Sequence, residues 1–98
     1  MPKLRLHAAI DSDLKALSQG QRKAVANVLK ALAADPKPPG ASELESGGPF
    51  WRVHAATAKI ISVIYELPDA NDQLFVFAIG FSPGIYAVLD NRQNDNNA

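Results

Sequence analysis

The chain has 98 residues, 47% of them hydrophobic, with no cysteine, which is material for one domain around one core. The composition excludes a disulfide framework, a thiolate nucleophile and a cysteine metal site, and no apolar run reaches the ~20 residues of a membrane helix. A formal net charge of zero hides an asymmetry: residues 1–37 carry seven Lys/Arg against three Asp, and residues 38–98 carry three against seven acids, so the halves are +4 and −4.

Residues 3–8 alternate Lys3, Arg5 and His7 with Leu4, Leu6 and Ala8, the period of a half-buried strand with a basic outer face. On an edge strand such charges also discourage pairing with other chains. Asp11 or Ser12 can cap a short helix through Leu17. Ser18 with Gln21 three residues on fits a capping box, and a second helix runs from there to about Ala34. Val25, Val28, Leu29 and Leu32 make its apolar stripe. The two helices read as an αα-hairpin. Asp35-Pro36 ends the second helix, because the residue before proline avoids the α region.

Residues 38–40 form an irregular link, and Leu44 anchors a short ordered patch around Glu43–Glu45. Gly47-Gly48-Pro49 is a turn signal. Residues 51–55 alternate again, Trp51, Val53 and Ala55 against Arg52 and His54. Residues 58–67 form a β-branched run and residues 74–79 an apolar, aromatic one, separated by the breaker-rich Pro68–Asp72. Residues 85–89 read as a last short strand or a helical turn. The expected domain is residues 1–89. Residues 90–98 have no apolar anchor and are expected to be a disordered tail. The fold class is α+β: an N-terminal strand, a helical hairpin, then a mostly antiparallel sheet of three or four strands with the hairpin on one face.

Simple alternation puts Ile61, Val63 and Tyr65 on one face of the sheet, with Phe75, Phe77 and Ile79 opposing Leu74, Val76 and Ala78 on the next strand. The hairpin can cover one face only. The other would offer Ile60, Ile64, Leu74, Val76 and Ala78, an apolar patch larger than monomers normally leave bare. Three covers are open: residues 85–89 of the same chain, a second copy in a homodimer, or a partner peptide bound on these five residues.

No metal cluster, cofactor motif or glycine-rich phosphate loop is visible, and a cytosolic protein without a leader peptide is expected. One set of residues has chemistry in common. Arg52 and His54 share a face of one strand, Lys59 follows in the next turn, and Tyr86 comes near the chain's end. Cleaving RNA through its own 2′-hydroxyl requires that hydroxyl deprotonated, a pentavalent phosphate stabilised and the leaving oxygen protonated. Arginine and lysine supply charge. Histidine exchanges protons near neutrality. Tyrosine positions groups or stacks on a base. The same residues also suit a solvated Arg-x-His pair and a tyrosine that closes the core.

The helical pair Leu14–Leu17 and Val25–Leu32, the Asp35-Pro36 exit, Leu44, Trp51-Arg52-Val53, Val63-Ile64-Tyr65-Glu66, Ala78-Ile79-Gly80 and Ile85-Tyr86 stand in an order that resembles the RelE/ParE superfamily of small bacterial toxins. The resemblance covers Lys3 to about Leu89. It implies a toxin of a type II toxin–antitoxin pair, neutralised by a partner antitoxin. The expected targets are ribosome-bound mRNA, which RelE-type members cleave as endoribonucleases, or gyrase, which ParE-type members poison. Carried over residue by residue, the implied catalytic set is Arg52, His54 and Tyr86, with Lys59 supplying a charge from a shifted position. Ser62 stands where the family usually has a basic residue, and Phe81-Ser82 where the RNA-cleaving branch has His-Arg. The alternative is a non-catalytic dimeric binding protein that keeps the toxin fold.

Overall fold

The computed structural model describes residues 3–44, 49–55, 57–82 and 84–96. The elements are β1 (Lys3–Leu6), α1 (Ile10–Lys15), α2 (Gln19–Ala34), β2 (Ser42–Glu43), β3 (Phe50–Ala55), β4 (Ile61–Glu66), β5 (Gln73–Phe81) and α3 (Gly84–Asn96). One five-stranded sheet has the order β1-β5-β4-β3-β2. β2, β3, β4 and β5 pair antiparallel, and β1 joins β5 in parallel. The α+β expectation holds: four strands follow the hairpin, within the three or four expected, and β1 joins them in one mixed sheet. The turn signalled at Gly47-Gly48 lies outside the described residues.

Local chemistry builds the helices. Ser18 Oγ accepts from the Gln21 amide at 3.2 Å, and Gln21 Oε1 accepts from the Ser18 amide at 2.8 Å, so the capping box starts α2 as its sequence dictates. Asp35 is extended and ends it. The start of α1 differs from expectation. Its N-cap is Ala9, with no side-chain cap, and His7 Nδ1 accepts from the Ala9 amide at 3.0 Å instead.

The hairpin-side core joins Ile10, Leu17, Val25 and Leu32 to Val53, Ile61, Val63, Tyr65, Leu74, Val76 and Ile79. Tyr65 is fully buried, and its hydroxyl donates to the Pro36 carbonyl at 2.8 Å. Burial, aided by the nearby Asp35 carboxylate, pushes its phenol up to about 12.

A β-bulge corrects the simple alternation along β5. Ile64 pairs with Ala78 and Tyr65 with Val76, so Phe77 is the extra residue. One inserted residue reverses every side chain beyond it. Leu74 and Val76 therefore lie in the hairpin-side core with Ile79, while Phe77 and Ala78 lie on the other face with Ile64. Ile60 belongs to neither; it precedes β4 and is 55% exposed. The five residues expected to share one apolar face do not share it.

That second face has a cover from the same chain. Ile85 and Leu89 of α3 pack on Phe50, Ile64, Phe77 and Ala78. Gly80 permits the approach: a Cβ there would stand 3.0 Å from Ile85 Cδ1. Residues 85–89 are thus helical, and the helix runs on to Asn96. A disordered tail starting at residue 90 does not describe residues 90–96. Arg92 is the reason. Its guanidinium donates to both carboxylate oxygens of Asp13, at 2.8 and 2.6 Å, and to the Phe77 carbonyl at 2.9 Å. Asp13 Oδ2 also accepts from the Ile79 amide at 3.1 Å. β1 pairs with β5 only as far as Val76, so Asp13 and Arg92 together satisfy backbone groups of β5 where strand pairing ends.

Candidate functional site

The α3-side face of the sheet holds the residues of interest. Phe50, Arg52 and His54 point to this side of β3, since Trp51 and Val53 pack on the hairpin side. Register sets Arg52 beside Ile64, and His54 beside Ser62, which pairs in turn with Gly80. The first turn of α3 places Tyr86 against β3. Arg52 Nη1 donates to the Tyr86 hydroxyl at 2.5 Å, and Arg52 Nη2 donates to Ser42 Oγ at 3.3 Å. Arg52 and Tyr86 stand 34 residues apart in sequence and meet because α3 folds back across the strands.

The other two candidates stay outside this pair. His54 is exposed two residues beyond Arg52 on the same face. Lys59, also exposed, lies with its ammonium 5.8 Å from the centre of the Phe81 ring. Among the described residues no hydrogen bond joins its ammonium to Arg52, His54 or Tyr86. Of the five residues expected to bind a partner, Ile64 and Ala78 are buried under α3, Leu74 and Val76 are buried under the hairpin, and Ile60 is in the exposed turn beside Lys59.

Three polar features of this face could not be placed from the sequence. Ser42 braces Arg52 from β2, a two-residue strand too short to leave a pattern. Asp13 and Arg92 form a bidentate pair with both side chains 12% exposed. The available signal was spacing: Ile85, Leu89 and Arg92 recur at i, i+4 and i+7, one helical stripe continuing into the polar segment. Ser62 is fully buried, and its hydroxyl has no hydrogen-bond partner among the described residues.

Chemically, Arg52 offers a part-buried guanidinium fixed from two sides, and the Tyr86 hydroxyl that accepts from it keeps a proton to donate. An exposed imidazole, His54, stands two residues further along the same strand. This set suits an anion with several oxygens, such as a phosphodiester, more than it suits a metal ion. Among the described residues no three His, Cys, Asp or Glu side chains come together. Nor is any described helix long and apolar enough to cross a membrane.

A mixed sheet between an αα-hairpin and a C-terminal helix defines a class of small α+β folds, and solved structures share it. The chain is similar to a mutant of the E. coli toxin RelE in the free state, with a TM-score of 0.74 and 14% identity over 93% of this chain and 96% of that one. It is similar to the intact E. coli RelBE toxin–antitoxin complex, with a TM-score of 0.69 and 14% identity over 82% of this chain and 95% of that one. A metal-bound toxin from Helicobacter pylori gives a TM-score of 0.69 and 22% identity over 87% and 99%. No family model and no curated protein matches the chain. The fold is that of RelE.

Proposed function

We propose that the chain is the toxin of a type II toxin–antitoxin pair, a growth inhibitor acting in the cytoplasm and neutralised by a partner antitoxin. The observation that carries the reading is the Arg52–Tyr86 hydrogen bond, set on the α3-side face of a RelE fold that matches nearly end to end. Several similar structures are complexes of toxin with antitoxin, from E. coli, Mycobacterium tuberculosis and Pyrococcus horikoshii. That supports an antitoxin as the partner here.

Of the two targets, the pair with His54 beside it favours RNA over gyrase. A phosphodiester meets Arg52 and Tyr86, and His54 moves a proton. Ser62, Phe81 and Ser82 add no charge there. Each missing donor to the transition state costs about 3–4 kcal/mol, so cleavage is slow.

The test is expression. The chain produced alone slows growth, and a short acidic helical protein encoded beside it restores growth. Normal growth at verified expression would overturn the toxin reading. Within it, His54→Ala abolishes cleavage of ribosome-bound message, and unchanged cleavage would remove His54 from the site.

A second reading is a non-catalytic binding protein with the toxin fold. The buried Ser62 favours it, since a hydroxyl sealed beneath a helix serves no substrate. On that reading the chain is a dimer, and its expression alone does not slow growth.

A further inference from the structure

The basic face of β1 takes no part in the site around Arg52, and its register shows what it stands beside. Arg5 pairs with Phe75 of β5, and Phe75 pairs in turn with Glu66 of β4. Phe75 packs with the α3-side cluster. Direct cross-strand partners share a face, so these three side chains make one row across three strands. The turn after β4 closes one end of the row. There Asp69 Oδ1 accepts from the Asn71 and Gln73 amides at 2.9 and 3.0 Å. Arg5, Glu66, Leu67, Asp69, Gln73 and Phe75 line a hollow of about 230 Å³.

Size, floor and wall each describe the occupant. Sites for drug-sized ligands span about 300–1,000 Å³, so this hollow suits a single ring system. Its floor is the half-buried Phe75 ring, held edge-on by Phe77 with centroids 5.6 Å apart. The Arg5 guanidinium carbon lies 5.7 Å from the centre of the same ring. Stacked layers sit about 3.5–4.0 Å apart, so a flat ring enters between the two once the exposed Arg5 side chain lifts by about 2 Å. The wall is Glu66. Its half-buried carboxylate has no hydrogen bond or ion pair among the described residues, and burial pushes its carboxyl up. It is an acceptor short of donors.

We propose that the hollow binds a guanine base that carries a phosphate. The base stacks between Phe75 and Arg5, and its N1–H and N2–H donate to the two carboxylate oxygens of Glu66. Glu66 and Asp69 repel the phosphate from the interior, so it lies at the rim on Arg5 and Lys3, which stands beside Gln73. Other bases match the wall less well. Adenine and cytosine turn a ring-nitrogen acceptor toward the carboxylate and uracil two carbonyl oxygens, and each offers it at most one donor. The base comes from a free nucleotide or from an RNA strand. Arg52 lies two strands from Phe75 and two residues along, about 10 Å across and about 7 Å up the same face. The RNA source rests on the RNA reading of Arg52; the hollow itself does not.

The test titrates guanosine and adenosine monophosphates into the isotope-labelled full chain. Guanosine monophosphate is expected to shift the amides of Arg5, Glu66, Gln73 and Phe75, and to bind about tenfold more tightly than the adenosine nucleotide. Glu66→Gln keeps the shape of the wall and exchanges one acceptor for a donor, and it is expected to cancel that preference. Phe75→Leu keeps an apolar side chain without the stacking surface, and it is expected to weaken both nucleotides about tenfold. Circular dichroism confirms that each variant folds. Two short oligouridines, one with a central guanosine and one with a central adenosine, identify the source. Tighter binding of the guanosine strand than of the nucleotide, weakened by Arg52→Ala, makes the base part of an RNA; equal binding makes the free nucleotide the ligand.

Absent shifts, shifts confined to other residues, equal affinity for the two nucleotides, or a Glu66→Gln variant that keeps the preference would overturn the proposal. It fails separately from the toxin reading. A chain that slows growth but shows no shifts with guanosine monophosphate sinks the hollow alone. A chain that does not slow growth sinks the toxin reading, and the nucleotide titration still judges the hollow.

Discussion

The two faces of the sheet are closed by different physics. On the hairpin side, apolar side chains from both helices interlock with Val63, Tyr65, Leu74 and Val76, and nearly every contact is hydrocarbon. On the other side a single helix rests on Ile85 and Leu89, and polar clasps complete the closure: Arg52 to Tyr86 near its start, Arg92 to Asp13 further along. Hydrocarbon contact is non-directional and scales with area, so the hairpin face supplies most of the stability. Hydrogen bonds are directional and gain little net energy each, so the α3 face supplies position. Arg52, His54 and Tyr86, the residues with chemistry to offer, are on the second face.

Four experiments can break or sharpen this contrast. The largest effect is expected from Leu32→Ala, which empties a fully buried site on the hairpin face and should cost about 2–5 kcal/mol in denaturant unfolding. A loss under 1 kcal/mol would deny that face its primacy.

Asp13→Asn comes next. It leaves Arg92 charged, nearly buried and without its carboxylate, at a cost of about 2–4 kcal/mol. Hydrogen exchange should locate the damage in α3 and the β5 segment from Phe77 to Ile79, with α2 protected as before. Uniform loss of protection would mean the two faces are one cooperative unit.

The third is alkaline pH. The Tyr65 phenol is raised in the folded state to about 12 from a reference of 10.0. The folded chain thus holds a proton that the unfolded chain gives up between those values. Stability from this group is full below about pH 10 and is lost as pH rises through about 12. Tyr65→Phe should flatten that decline, at a cost of about 1 kcal/mol at neutral pH for the bond to Pro36.

Ser62→Ala is the smallest and has the opposite sign. It removes a buried hydroxyl that has no partner among the described residues, and stability should rise by about 1 kcal/mol. A loss of stability would indicate a partner for that hydroxyl and undo its role in the second reading of function.

Much of the fold was legible because its signals are local. The Ser18–Gln21 capping box and the Asp35-Pro36 stop each act within a few residues, and the stripe through Val25 and Leu32 repeats along one helix. The site was legible in part. Arg52 and His54 could be placed on one face from alternation alone, and Tyr86 could be named for its chemistry but not placed beside Arg52. The sequence also showed that one face of the sheet needed a cover. It did not show which cover, because α3 is weakly patterned and half of its hold is polar.

Composition and short-range pattern by themselves determined the class: one cysteine-free α+β domain with a helical hairpin on a sheet. Only the tertiary structure decided the faces. The bulge at Phe77 turns Leu74 and Val76 toward the hairpin, since a period of two residues inverts with each insertion. Only the tertiary structure joined Arg52 to Tyr86 and Asp13 to Arg92, because pairs 34 and 79 residues apart leave no periodic trace in the chain.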